Sequence, residues 1–196
     1  MQKFSSMQKT IFRIVITLLI FSFSQHTFSQ AKERKEKVLS SGENIHWYSF
    51  EEAYKLNKKK PKKIFIDVFT DWCGWCKKMD AETFTNPIIS AYMSKHFYCV
   101  KLNAERKDTV IIDGVKFTNP NPASKRSTHQ LAIELLKGKM SYPSYVFLNE
   151  KSQWLTVVSG YQPSKDFEPL LHYFGEDAYQ KTPWEDFKAS FEGEIK

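Results

Sequence analysis

Cysteine is scarce in this chain, and the shortage removes several possibilities at once. The 196 residues hold three: Cys73, Cys76 and Cys99. A structural zinc site takes four ligands, usually two cysteine pairs or one pair with histidines at ligand spacing. Here there is no second pair, and His46, His96, His129 and His172 stand singly. A c-type haem needs histidine directly after the second cysteine, where the chain has Lys77. Long apolar runs are lacking too. The stretch from Ile14 to Phe23, broken by Thr17 and Ser22, falls short of the about 20 residues that cross a bilayer. No internal repeat is present. The formal charge of +7 is mild, since Lys3, Lys9 and Arg13 contribute three of the seven. The run "AKERKEK" (31–37) alternates in sign, as a solvated linker does, and "KKKPKK" (58–63) sits at a helix-to-strand junction. Neither has a basic face interleaved with aromatics, so no nucleic-acid partner is expected.

A basic start, a short apolar core and small residues at Thr27 and Ser29 read as a secretory signal peptide, with cleavage after Ser29. The competing reading is a retained membrane anchor, which the short core disfavours. The expectation is therefore a signal peptide (1–29), a charged linker (30–44) and one domain (45–196) large enough for a sizeable core. The product would be exported, periplasmic or secreted, without stable membrane insertion after cleavage, in a compartment where disulfides persist.

Within that domain, "IHWY" (45–48) suits a short strand. "SFEEAYKLNKK" suits a helix, with Ser49 and Glu52 in capping-box spacing and Pro61 as its stop. "KIFIDVFT" (63–70) is a continuous run of β-formers, the mark of a strand buried on both faces. A helix opens at the cysteine pair. Asn86 and Pro87 supply the N-cap and first position of the next one, and "FYCVKLNA" (97–104) is a second buried strand. Residues 105–126 break the rhythm with a small hairpin around Asp113–Gly114 and a polar loop. "STHQLAIELLKGK" reads as a helix, "SYVFLNEKSQWLTVVSG" as a strand hairpin and "SKDFEPLLHYFG" as a helix. A last helix should start at Thr182–Pro183, with Glu185 completing a capping box and Trp184, Phe187 and Phe191 on one stripe. The order gives α/β with a mixed central sheet flanked by helices, an inserted hairpin and loop (105–126), and a C-terminal helical extension (176–196).

Cys73 and Cys76 fall at i and i+3 on the first turn of a helix, on one face and within disulfide reach. A helix N-terminus offers unpaired N–H groups and the positive end of the dipole, both of which favour a thiolate. Cys73 is thus expected to be a nucleophile of depressed pKa, and Cys76, one turn deeper, to resolve a mixed disulfide. A purely structural staple is a poor use of so short a loop, because closing it removes little chain entropy. Redox chemistry is the reading that remains. Asp67, inside "IFIDVF", would be a buried carboxyl of raised pKa placed to exchange a proton with Cys76; the alternative is an edge strand with Asp67 in water. Cys99, mid-strand, is expected to be a buried small hydrophobe.

At these residues the chain resembles the thioredoxin superfamily, over about residues 45–175. "DVFTDWCGWCK" resembles the strand-to-active-site segment, with Asp67, Trp72, Cys73 and Cys76 in register. "VKLNAE" resembles the next central strand, and Lys101 falls where a lysine partners the buried acid. "YPSYVFL" resembles the loop whose cis proline faces the cysteines, here Pro143 after Tyr142. Gly160 matches a glycine after the final hairpin. "CKKMDAETFTNPII" is most similar to exported bacterial thioredoxin-like proteins and to the periplasmic reductase domain of thiol:disulfide interchange transporters. The chain departs from the family in two places. Gly74–Trp75 stands where Gly-Pro is common, so no potential or direction of electron flow carries over, and the insert 105–126 is longer than the family's connection.

The resemblance implies an exported thiol:disulfide oxidoreductase, a protein-disulfide reductase or isomerase. Its redox-active Cys73–Cys76 disulfide would need no bound cofactor or metal. Its partners would be exported protein thiols and disulfides, and a redox partner to reset the pair. Asp67 and Lys101 would assist the cysteines, and Trp72, Trp75, Tyr142 and Pro143 would contact substrate. The insert should emerge at the sheet edge that carries Cys73, where ligands of open α/β sheets bind; a plain surface loop is the alternative. A competing reading of the whole is a polypeptide-binding module with little turnover.

Overall fold

The computed structural model of the chain describes residues 44–196. The segments read as signal peptide and linker lie outside the described residues, apart from Asn44. The chain runs β1 (Trp47–Tyr48), α1 (Phe50–Lys59), β2 (Lys63–Phe69), α2 (Gly74–Lys78) with a π-helical turn (Met79–Thr83), α3 (Pro87–His96) and β3 (Phe97–Asn103). Then come β4 (Val110–Ile112), β5 (Val115–Phe117), α4 (Gln130–Leu135), β6 (Ser144–Leu148), β7 (Trp154–Ser159), α5 (Ser164–Gly175), a 3₁₀ turn (Ala178–Gln180) and α6 (Trp184–Ser190).

Five strands form one sheet in the order β1-β3-β2-β6-β7. The β1, β3 and β2 strands are parallel, and β6 and β7 run antiparallel to complete the mixed sheet. β2 is central, which explains its unbroken apolar sequence: both its faces are covered. Ile64, Ile66 and Val68 pack with Val100, Leu102 and Val146 under α1 and α4. Phe65 faces the opposite layer with Met79, Cys99, Tyr145, Phe147 and Phe167. Its ring meets those of Phe84, Phe97, Tyr145, Phe147 and Phe167 at centroid distances between 5.4 and 6.3 Å. Cys99 is the core residue expected, and burial pushes its thiol up to about 12.

Local signals explain the element ends. The Ser49–Glu52 capping box forms in full, and the Asn86 side chain accepts from the N–H groups of Ile88 and Ile89. Asp113 and Gly114 both take positive φ, 47° and 81°, as a two-residue hairpin turn requires. Asp113 then accepts a 2.6 Å hydrogen bond from Tyr54 and pairs with Lys58, which fastens the hairpin to α1.

Two expectations at helix starts are corrected. α6 has Pro183 as its N-cap and no side-chain cap, so the Thr182–Glu185 box does not form. Thr182 is already committed: its N–H donates to Ala178 and its carbonyl accepts from Tyr173. α4 is capped by His129 rather than beginning near Ser127. Ser127 belongs to the loop, where its hydroxyl and carbonyl both bond to Asn119. The α6 stripe is half-buried rather than core: Trp184 and Phe187 pack against the core and meet Tyr173 of α5 at 5.2 and 5.1 Å.

Candidate active site

β2 delivers the chain to the end of the sheet, and a tight turn follows in which the Cys73 N–H donates to Thr70 (3.1 Å). Cys73 is the N-cap of α2, with extended backbone, and the Cys76 N–H donates to Cys73 Sγ at 3.1 Å. The two cysteines form a disulfide. Both are buried, at 4% and 2% exposure.

Asp67 lies on the α2-facing layer of β2 and is fully buried. The edge-strand alternative is excluded, because β3 and β6 flank β2. Lys101, paired with Asp67 across the β2–β3 register, places Nζ 2.5 Å from Asp67 Oδ2. The same ammonium bonds Asp80, on the π-helical turn one helical turn beyond Cys76, and so bridges the strand to the active-site helix. Burial pushes the Asp67 carboxyl up to about 6, with Lys101 opposing the rise. Its other oxygen, Oδ1, is buried and has no hydrogen-bond partner among the described residues; the same holds for the Thr70 and Tyr145 hydroxyls. Tyr145 stands directly opposite Asp67 in the β2–β6 register.

Each cysteine of the pair follows a tryptophan. Trp72 and Trp75 are 50% and 58% exposed, although most large apolar side chains among the described residues are covered. Trp75 lies 5.4 Å from Tyr161, with Lys78 over both rings. Trp72 lies 6.0 Å from Tyr142, edge to face, and its indole N–H donates to Glu105 at 2.9 Å. The Tyr142–Pro143 bond is cis. Gly160, at φ 94°, donates its N–H to the Pro143 carbonyl at 2.8 Å, which ties this loop to the end of β7.

The geometry pairs Cys73 with Cys76, Asp67 with Lys101, and Trp72 with the Tyr142 of the cis Tyr142–Pro143 bond, and it adds residues that the sequence reading did not single out. Asp80 could have been read from its i+4 spacing to Cys76. Glu105 and Arg126, which bracket the insert, converge on Trp72, so the insert does emerge beside Cys73. Nothing in their local sequence signals this. His129, one of the scattered histidines, is a buried clamp: its Nδ1 accepts from Leu131 and its Nε2 bonds the Asp108 carbonyl at 3.0 Å. Among the described residues no cluster of His, Cys, Asp or Glu could hold a metal ion, and no helix is long and apolar enough to cross a membrane.

Comparison with known proteins places this arrangement. The mouse protein "Spermatogenesis-associated protein 20" is 34% identical over 67 residues, which is 34% of this chain and 8% of that protein. "Disulfide bond reductase DsbH" of Chlamydia pneumoniae is 25% identical over 122 residues, or 61% of this chain. The chain thus spans under a tenth of the first relative's length and 65% of the second's. A solved structure titled "DsbH Oxidoreductase" superimposes with a TM-score of 0.49 at 19% identity, covering 68% of this chain and 85% of that one. The profile of the thioredoxin-like domain family matches residues 50–175, from the start of α1 to the end of α5. A match of that extent, spanning both the Cys73–Cys76 disulfide and the cis Tyr142–Pro143 bond, shows that the chain belongs to the thioredoxin-like family.

Proposed function

We propose that the chain is an exported thiol:disulfide oxidoreductase acting on polypeptides. The observation that carries this reading is the Cys73–Cys76 disulfide at the start of α2, with the Cys76 N–H aimed at Cys73 Sγ. That donor favours a thiolate on Cys73 once the pair is reduced. The Cys73 thiolate then attacks a substrate disulfide, forming a mixed disulfide and expelling one substrate thiolate. Cys76, having lost its proton to Asp67, attacks the Cys73 sulfur and expels the second. Asp67 gives up the proton it took, and with a second proton from solvent the two expelled thiolates become thiols. The substrate disulfide is thus reduced and the protein is left as the Cys73–Cys76 disulfide, which an external thiol or dithiol partner resets. Run backwards, the same steps oxidise a dithiol. No bound cofactor enters either direction. Trp72, Trp75, Tyr142 and Pro143 form the surface that meets the substrate, and export supplies an environment in which such disulfides persist.

Turnover of insulin disulfides with dithiothreitol tests the reading. Acceleration over dithiothreitol alone, abolished by Cys73→Ser, is the expected result. The exposure of Trp72 and Trp75 favours a second reading, a polypeptide-binding module with little turnover. That reading predicts binding of unfolded chains equally well by wild type and Cys73→Ser, with no insulin reduction.

A further inference from the structure

The insert that begins at residue 105 ends against Trp72, the residue before the nucleophilic cysteine. The Arg126 guanidinium lies 4.7 Å from the centre of the Trp72 ring. Its backbone holds a positive φ of 65°, a conformation that a non-glycine residue keeps only where its surroundings impose it. Those surroundings are built. Buried Asn119 donates to the carbonyls of Arg106 (3.0 Å) and Ser127 (2.7 Å) and accepts from the Ser127 hydroxyl at 2.6 Å. Lys107 donates to the Ser124 carbonyl (2.9 Å). The loop is therefore clamped on both sides of the arginine.

The neighbouring carboxylates are already engaged. Glu105 accepts from the Trp72 indole, Asp71 from Asn103, and Glu51 and Asp108 bind Arg106. Across the disulfide, Lys78 is paired with Glu82, 3.8 Å away. Arg126 has no ion pair among the described residues. A guanidinium stacked on an indole keeps its N–H edges free, and their planar fork suits a carboxylate.

We propose that Arg126, held on Trp72 by the insert, is a specificity residue that reads an acidic side chain next to the substrate's reactive cysteine. The preferred substrate is a polypeptide disulfide with aspartate or glutamate beside the cysteine that enters the mixed disulfide. This deepens the oxidoreductase reading and rests on it. The insert supplies the charge, and the shared thioredoxin-like core supplies the chemistry.

The test uses the reduced full chain and two short disulfide-closed peptides, identical except for glutamate or lysine beside the cysteine. Wild type should reduce the glutamate peptide about three- to fivefold faster, the size of one solvent-exposed ion pair, and the preference should shrink as salt is added. Arg126→Gln should abolish it and Arg126→Glu should invert it, while the iodoacetamide rate at Cys73 stays unchanged. Equal effects of both variants on both peptides, in step with the Cys73 alkylation rate, would overturn the proposal in favour of a general effect on the thiolate. A preference that survives Arg126→Glu would overturn it as well. Binding of the serine-substituted peptides to the oxidised protein, followed by tryptophan fluorescence, separates the two hypotheses. If wild type reduces neither peptide but binds the glutamate analogue better through Arg126, the specificity stands and the oxidoreductase reading falls. If the analogues bind without charge preference, the specificity falls.

Discussion

The ammonium of Lys101 rests 2.5 Å from Asp67 Oδ2, and the same group reaches Asp80 on the active-site helix. A buried carboxyl is thus tied, through one lysine, to a carboxylate at the surface. Removing Lys101 would strand Asp67 as an unpaired buried charge. Removing the charge on Asp67 instead relieves burial.

Asp67→Asn should therefore fold and gain stability at neutral pH. Burial pushes the folded-state carboxyl up to about 6, above the 3.8 of an unperturbed aspartate. As pH rises through that window the unfolded chain loses its proton first, so ionisation of Asp67 lowers stability progressively between about pH 4 and 6. The variant should lack this loss and be about 1–3 kcal/mol more stable at pH 7, measured by chemical denaturation. Its resolving step should be slower, and turnover unchanged from pH 6 to 9 would remove Asp67 from the proton path.

In the reduced protein Cys73 should alkylate quickly with iodoacetamide near neutral pH and Cys76 slowly. Cys99, buried and with its thiol pushed up to about 12, should stay unlabelled until the protein unfolds. Cys76→Ala should trap mixed disulfides on Cys73. Mass spectrometry that places the adducts on Cys76 or Cys99 would reverse the assignment of roles.

His129 makes the anchoring of the insert sensitive to pH. Burial lowers its pKa, and it stays neutral to accept from the Leu131 N–H. A depressed histidine contributes stability above its unfolded pKa, about 6.5, which is lost as pH falls below that value through the folded one. Protection factors for amide exchange in residues 105–127, corrected for the intrinsic slowing of exchange in acid, should fall between pH 7.5 and 5, while those of β2 and β3 hold. His129→Gln should flatten that dependence.

Phe65→Ala should cost about 3–5 kcal/mol, since this ring joins β2 to Phe84 at the end of the π-helical turn, to α5 and to two neighbouring strands. Thermal unfolding of the oxidised protein would measure it. A loss under about 1 kcal/mol would mean that the aromatic layer repacks.

The parts of this protein that were legible in the sequence are those set by near neighbours in the chain. β2 could be read because a strand covered on both faces needs an unbroken apolar run. The Ser49–Glu52 box, the Asn86–Pro87 start and the Asp113–Gly114 turn are satisfied within a few residues of themselves. The cysteine pair was legible for the same reason: three residues at a helix start fix both its geometry and its first hydrogen-bond donor. The Thr182–Glu185 box shows the limit, since a competing local turn and the Tyr173 hydroxyl had claims on Thr182 that spacing does not record.

What only the tertiary structure decided concerns groups far apart in the chain. Asp80 closes on Lys101, Glu105 and Arg126 close on Trp72, Tyr161 closes on Trp75, and Tyr145 stands across from Asp67. Each pairing depends on strand order and on where a loop is clamped. The composition of each segment allows many such pairings, and packing selects one. The sequence alone determined that two thiols would meet at the head of a helix. Only the folded sheet decided that Asp67 is buried and held by Lys101, and which rings and cations gather on Trp72 and Trp75.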